Sequence, residues 1–594
     1  MNRVFFERKP RDIQNAILSL CHFSSFSAEM AKVITGNGMI DELLNRMQER
    51  GDFIGIVDAR HYRINDFYRR YLLWKSSVTY SDAQIEKIYE RAALFYEMNG
   101  DSIKALECYR KANNTERIIS LLCDISDKNP GMEIYQSVEK YFDQIPVATI
   151  SKYPTLMSAE AMICSLRLDP DRSEQWVERL KEFAQKAGRG SAGQIEAYSR
   201  LLFLDIILPH RGTAELLQSV KNVSSVTRGW VDQYSEVSVT DNSTSILNGG
   251  LDLTEFFDLH KNDYAKVEQL DNAVKFLLRR NAVGYVQLAY LENKFERLEI
   301  SFKEMSTKLN EIYMQTDACG TLETSYVAIA LLAKSYITQG MYSVAEASFE
   351  SFVEKFRRSG NKSLKPGLET FRMWKSLLKG EVSRAREWLP QAPDSTVSFS
   401  FLDRYFYIHK IRVFITFQKY ELANHLCDRL RPVFERYHRP YMAIQTSLFK
   451  SVILFRQGRE DWREYLMRAL ELAQTYRYHW VIAMEGAAVK PLLDSFDGDR
   501  INPEYLQNVR KLVDKMASFY PKYLQPVEAV VEPLTAMERK SLHLICSGLN
   551  SEEICEALNI SYSGLKFHRQ NIYRKLNVNN QLEAIEKARS LGLD

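Results

Sequence analysis

Long hydrophobic runs are missing from this sequence. Nothing approaches the roughly 18 uncharged apolar residues that a membrane-spanning helix needs. Leu201–Pro209 is broken by Asp205, and Tyr326–Ala333 is short. The opening MNRVFFERKPRD has no apolar segment of signal-peptide type. A cytoplasmic chain with no membrane partner is therefore expected. Proline is scarce, 16 in 594 residues, so helices can run uninterrupted. The eight cysteines (Cys21, Cys108, Cys123, Cys164, Cys319, Cys427, Cys546 and Cys555) are scattered. Without a C-x-x-C or a Cys/His cluster at ligand spacing, neither a disulfide framework nor a metal site is indicated. An excess of one charge is missing too: 79 Lys and Arg face 76 Asp and Glu, a net +3. Any nucleic-acid footprint must then be local. Catalytic signatures are lacking as well. The ten histidines are dispersed, and there is no H-E-x-x-H, no G-x-S-x-G, no dinucleotide fingerprint and no G-x-x-x-x-G-K-[ST]. Neither an enzyme nor a bound cofactor is expected.

What is present is concentrated in the last 61 residues, Leu534–Asp594. Thr535 with Glu538 forms an S/T-x-x-E capping box, and Gly548 supplies a helix-ending residue. Asn550 with Glu553 starts a short second helix, and Ser561 caps a third after the Asn559-Ile560 turn. Asn580 with Glu583 starts a fourth, which Gly592 closes. Two short helices, a tight turn and a longer third helix make the helix-turn-helix layout.

The third helix carries the chemistry. No Asp or Glu occurs from Asn559 to Leu582, whereas Lys566, Arg569, Arg574 and Lys575 add four positive charges. Across the module eight Lys and Arg meet seven acids, leaving only +1, so segregation is the signal. Helical spacing puts Leu565, Ile572 and Leu576 on one stripe, with His568 or Arg569 at its edge, to pack on Leu542, Ile545, Ile554 and Leu558. Ser563, Lys566, Phe567, Gln570 and Arg574 then face outward. Lys reaches guanine acceptors, Gln pairs with adenine, and Phe rests on a thymine methyl in the major groove. Arg574 and Lys575 are expected to hold phosphates. Cys546 and Cys555 are expected to be buried thiols on the apolar faces.

The residues Leu534-Thr535, Glu538, Gly548-Leu549, Glu553-Ile554, Leu558, Ile560-Ser561, Lys566, His568 and Asn571–Leu576 resemble the LuxR-type helix-turn-helix. That resemblance implies that Lys566, Phe567 and Gln570 read bases. Where the family usually has Thr at the start of the recognition helix, this chain has Gly564. The change removes a phosphate-holding hydroxyl and weakens the first turn by up to about 1 kcal/mol relative to Ala.

From about residue 84 to 515, segments of helical period follow one another. Ala92, Ala93, Tyr96, Gly100, Ala105, Tyr109 and Ala112 recur in spacing as Leu332, Ala333, Tyr336, Gly340, Ala345, Phe349 and Phe352. Phe414, Tyr420 and Ala423 repeat part of the pattern without the glycine. Small residues let antiparallel helices approach, and aromatics fill the groove between them. The pattern resembles the tetratricopeptide repeat and implies an all-α array. Tyr405–Tyr407, Phe414–Phe417 and Tyr476–Trp480 are candidates for a ligand groove or for core between helices. Residues 221–262 break the helical texture and read as an irregular insertion with a hairpin, either a surface loop or a ligand or partner element.

At the N-terminus, helices over Arg11–Leu20, Ser27–Thr35 and Met39–Arg50 precede two short strands, Phe53–Val57 and His61–Ile64, and a helix from Asp66. This reads as a winged helix, whose short hairpin carries Asp58 and suits protein packing better than DNA. The expected parts are a winged-helix-like domain over 1–80, TPR-like repeats over 81–515, a linker over 516–533 near Pro521, Pro526 and Pro533, and the DNA-binding domain over 534–594. That order resembles the large MalT-like regulators. Their nucleotide-binding domain has no counterpart here, so either the switch is naturally absent or the chain is a fragment. The resemblance implies a transcription regulator whose partners are double-stranded DNA, RNA polymerase, a small-molecule or protein effector, and a second copy on DNA. Leu582 and Ile585 are read either as the contact between copies or as part of the module's own core. The rival is a helical-repeat adaptor with a degenerate helix-turn-helix.

Overall fold

A computed structural model of the chain describes residues 6–594 except 51–52, 59–60, 128–131, 215, 220–239, 241, 262, 396–398, 527–533, 559, 577, 592 and 594. The expected Asn559 turn, the Gly592 stop, Pro533 and residues 221–239 of the 221–262 insertion lie outside the described residues. Among the described residues the fold is all-α apart from one small sheet. No described helix is long and apolar enough to cross a membrane. The chain forms two compact units, Met1–Ile163 with Glu178–Ala197, and Cys164–Val177 with Tyr198–Asp594.

The first unit opens with the winged helix: α1 (Arg11–Leu20), β1 (Phe26–Ser27), α2 (Ala28–Thr35), α3 (Ile40–Glu49), β2 (Ile54–Asp58), β3 (His61–Ile64) and α4 (Asp66–Thr79). Ser27 caps α2 by accepting the Met30 amide at 3.1 Å, and Gly36 ends it at φ +66°, where a glycine is unstrained. Asn65 accepts the Phe67 amide to start α4. The strands run antiparallel in the order β1-β3-β2, with Ile54 opposite Ile64 and Phe26 opposite Tyr62. β1, two residues long, is too short to leave an alternating pattern in the sequence. Ile17, Leu20, Ile34, Leu44, Ile64 and Leu72 are buried beneath.

The helix pairs that follow explain the repeated template. In the first unit α5 (Asp82–Met98) packs on α6 (Ser102–Lys111). In the second unit Leu322–Ile337 packs on Tyr342–Arg358, and Arg404–Thr416 on Tyr420–Arg436. Ala105, Ala345 and Ala423 are fully buried at the close approaches. Each first helix ends in the same turn: the amides of Asp101, Met341 and Lys419 reach back to the carbonyls of Tyr96, Tyr336 and Phe414 at 2.9, 3.0 and 2.8 Å. This closure needs a left-handed residue just before the returning amide. Gly100 and Gly340 supply it at φ +75° and +74°, and in the third pair Gln418 adopts it at +55°. The missing glycine therefore changed a residue and kept the turn.

Candidate nucleic-acid interface and a buried cavity

The four C-terminal helices, Ala536–Cys546, Ser551–Leu558, Tyr562–Leu576 and Gln581–Leu591, start where their caps lie. Thr535 accepts the Glu538 amide at 3.3 Å while its own amide donates to the Glu538 carboxylate at 2.7 Å. Gly548 ends the first helix at φ +82°. Asn550 accepts the Glu552 and Glu553 amides, and Glu553 accepts the Asn550 amide at 2.8 Å. Ser561 Oγ accepts the Gly564 amide at 3.2 Å. Asn580 accepts the Glu583 amide at 2.9 Å. Each reciprocal pair satisfies donors that a helix start otherwise leaves open.

Two small cores hold the module. Leu542, Ile572 and Leu576 pack with Leu534, Ala584 and Ala588. Ile545, Ile554 and Leu565 form the other, with Leu558 and Ile585 against it. Cys546 and Cys555 are half-buried at their margins rather than enclosed. Of the helix after Asn580, Ile585 thus belongs to the core, and Leu582 stays 68% exposed. On the third helix Ser563, Lys566, Phe567, Gln570 and Arg574 are exposed, and His568 and Arg569 sit half-buried at the edge. Tyr562, 65% exposed, stands beside them; its signal was its place next to the Ser561 cap.

Lys575 does not join that face. Its ammonium donates to the Glu538 carboxylate at 2.8 Å, and both side chains are buried. The expectation of a phosphate contact is corrected: one helical position beyond Arg574 turns the side chain toward the first helix, where a buried acid holds it. Burial pushes the Glu538 carboxyl up, but Lys575 and the Thr535 amide together bring it below the usual carboxylate range.

A second feature lies inside the second unit. Side chains from Ser243–Asn248 and from the helices Tyr285–Glu296, Leu322–Ile337, Arg404–Thr416 and Pro440–Arg456 help line a cavity of about 80 Å³. The described end of the insertion is therefore buried rather than a surface loop: Ser245 donates to Glu292 at 2.6 Å and the Leu247 amide does so at 3.3 Å. Glu296 accepts the Val481 amide at 2.9 Å and the Tyr441 hydroxyl at 3.1 Å. Burial raises both carboxyls, Glu296 to about 8. His409 donates through Nδ1 to the Tyr405 carbonyl at 2.9 Å, and burial keeps the ring neutral. Arg412 is committed to Glu485 at 2.6 and 3.2 Å. Among the aromatic clusters read from the sequence, Tyr405 and Arg412 on its helix reach the cavity; Tyr407, Ile415 and Tyr478 are core.

Residues 532–588 match the family described as bacterial regulatory proteins, luxR family, and residues 2–83 match the MalT winged helix domain. The chain has a MalT-like architecture. Proteins named HTH-type transcriptional regulator MalT are similar to it: 19% identical over 99% of this chain and 71% of the Vibrio parahaemolyticus protein, and 26% identical over 36% of this chain and 26% of the Serratia proteamaculans protein. The chain thus matches about a quarter of the length of one relative and about seven-tenths of the other. The transcriptional regulatory protein DesR of Bacillus subtilis is 27% identical over 16% of this chain and 47% of its own. The solved structure of a signal transduction ATPase with a tetratricopeptide repeat sensor from Pyrococcus horikoshii aligns over 87% of this chain and 64% of that one, at 13% identity and a TM-score of 0.30.

Proposed function

We propose that the chain is a transcription regulator that reads double-stranded DNA with Lys566, Phe567 and Gln570 and steadies itself on phosphates with Ser563 and Arg574. The observation that carries this reading is the two-faced third helix. Its apolar stripe is used up in two cores, while its basic, amide- and aromatic-bearing face stays exposed beyond a capped start. A structural surface helix also separates apolar from polar residues; what sets this face apart is that no acid occurs from Asn559 to Leu582. The MalT relatives, named as HTH-type transcriptional regulators, support the same assignment.

In this reading the parts are the winged-helix-like domain over 1–80, a sensor over 81–515, a linker over 516–533 and the reader over 534–594. The effector is a small molecule bound in the cavity beside Glu296, and it shifts the population toward the DNA-competent arrangement. Exposed Leu582 supplies a contact between two copies on repeated half-sites, and RNA polymerase is the machinery the bound regulator acts on.

The test is an unbiased operator selection with the full chain. Enrichment of a shared half-site, with retention lost on Lys566→Ala and Gln570→Ala, supports the regulator. Weak, salt-sensitive and unselective binding that ignores Gln570→Ala sinks it and leaves the adaptor.

A further inference from the structure

The cavity holds ionisable groups of opposite kind that do not touch. Lys334, Glu292 and Glu296 all line it, yet among the described residues no ion pair joins Lys334 to either carboxyl. The Lys334 ammonium has only the Thr244 carbonyl, at the long distance of 3.5 Å. Arg412 cannot serve the glutamates because Glu485 already holds it. Asn248, 5% exposed and also in the lining, has an amide nitrogen with no partner among the described residues. With Nδ1 of His409 donating to Tyr405, the neutral ring presents only an acceptor at Nε2.

Buried charge is costly when unpaired, and a buried donor without an acceptor adds to that cost. These groups divide into two kinds. Lys334 and Asn248 lack a close acceptor. Glu292 and Glu296 accept two hydrogen bonds each and, like His409, keep a lone pair for a further donor. A cation beside the two carboxyls would favour the charged form that burial disfavours. A lone amine would leave Lys334 unmatched, a lone carboxylate would face two glutamates, and a neutral polyol would compensate neither charge. At about 80 Å³ the space is far below the ~300 Å³ at which drug-sized pockets begin, so its occupant has few heavy atoms. Phe295, Phe371 and Trp374 also line it and offer apolar surface to a short side chain.

We propose that the cavity binds a small zwitterion of the α-amino acid type, its carboxylate on Lys334 and Asn248 and its ammonium on Glu296 and Glu292. The inference rests on reading this cavity as the effector site and names the effector's class. Both ligand contacts are charge-assisted hydrogen bonds, which are stronger than neutral ones, and the ligand bridges charges the protein keeps apart.

The experiment is thermal unfolding of the full chain with each of the common L-amino acids in turn, alongside ethylamine, acetate and a hexose. A subset of amino acids should raise Tm in a dose-dependent way, by at least about 1 °C once the ligand is in roughly tenfold excess over its Kd. Lys334→Met and Glu296→Gln should each abolish the rise. Asn248→Ala, a smaller perturbation, should weaken apparent affinity at least about fivefold if one hydrogen bond to a charged group is lost. A rise with the hexose that Lys334→Met removes overturns the zwitterion while leaving the cavity as the effector site. A rise with ethylamine or acetate alone does the same. No rise with any compound overturns the inference, and the operator selection still decides the regulator independently.

Discussion

Lys575 and Glu538 form a buried ion pair at 2.8 Å between the first and third helices of the C-terminal module. Glu538 also accepts the Thr535 amide at 2.7 Å, so one carboxylate closes a helix start and locks the recognition helix in rotation. Removing the cation leaves the acid buried and unmatched. Lys575→Ala is expected to destabilise the module by about 3 kcal/mol, without changing the salt slope of DNA binding measured where the protein is folded. Arg574→Ala should instead reduce the slope of log K against log salt by about 1. A salt slope that falls with Lys575→Ala and not with Arg574→Ala would return the phosphate contact to Lys575.

The same pair sets an acid limit. The Glu538 carboxyl is held below its ordinary range in the folded module. A depressed acid contributes stability that is fully present above its unfolded value and is lost as pH falls through the folded one. The stability difference between the wild-type chain and Glu538→Gln should therefore be largest near neutrality and shrink below about pH 4.3, the ordinary Glu value. Urea unfolding at stepped pH reads it; a difference that grows on acidification contradicts the assignment.

Base reading predicts a different pattern from phosphate holding. Gln570→Ala should cost about 1–3 kcal/mol on the selected operator and relax preference at one base pair. Lys566→Ala should cost a similar amount and also lower the salt slope, since it removes a cation. Phe567→Ala, truncating a ring that is 61% exposed, should weaken binding and leave melting unchanged. Fluorescence anisotropy against the operator and its single-base variants separates these outcomes.

How far the sequence reached depends on the range of each interaction. Caps were legible because donor and acceptor lie within four residues: Thr535 with Glu538, Asn550 with Glu553, Asn580 with Glu583. The winged-helix order was legible for the same reason, apart from β1, which has two residues and exists only through its pairing with β3. The outward face of the recognition helix followed from periodicity. Lys575 did not, because its partner lies 37 residues earlier and nothing local distinguishes it from Arg574. The cavity was legible only in part: Tyr405 and Ser243–Asn248 belong to stretches read as candidate ligand elements, but nothing in the sequence showed that they meet. Its polar wall combines Ser245, Glu292, Lys334 and His409, residues from four separate segments. Ser243–Asn248 in particular carries a surface-like composition, yet the Ser245 hydroxyl and the Leu247 amide bond inside, to Glu292.

The repeat turns give a stability test. Gly340 sits at φ +74° with an added Cβ only 3.1 Å from the Phe519 ring. Gly340→Ala would meet both backbone strain and a crowded neighbour, and should destabilise by more than about 1 kcal/mol. Gln418 holds the same left-handed position at φ +55°, so Gln418→Gly should be neutral or stabilise by up to about 1 kcal/mol, relief of strain outweighing added chain entropy. Opposite shifts in Tm check the common turn; a loss of stability in both contradicts it.

Gly564 is the departure of most consequence for the DNA face. Its amide is already capped by Ser561 at 3.2 Å, and its φ lies outside the left-handed range, so nothing in the turn requires a glycine. An added Cβ would meet Ser561 Oγ at 3.4 Å and Ile560 Cβ at 3.8 Å, ordinary contacts that need no rearrangement. Replacing Gly in the first turn of a helix with a side chain gains up to about 1 kcal/mol, somewhat less for a β-branched residue. Gly564→Thr should therefore raise the module's stability by a few tenths of a kcal/mol to about 0.5 and set a hydroxyl beside Ser563. A net gain of about 0.5–1.5 kcal/mol per hydrogen bond makes tighter operator binding the expected result, by roughly two- to tenfold and equally for matched and mismatched operators, as a phosphate contact requires. Gly564→Ala is the control that adds the helix gain without the hydroxyl. If Thr and Ala tighten binding alike, helix order and not a phosphate contact is what the glycine had weakened.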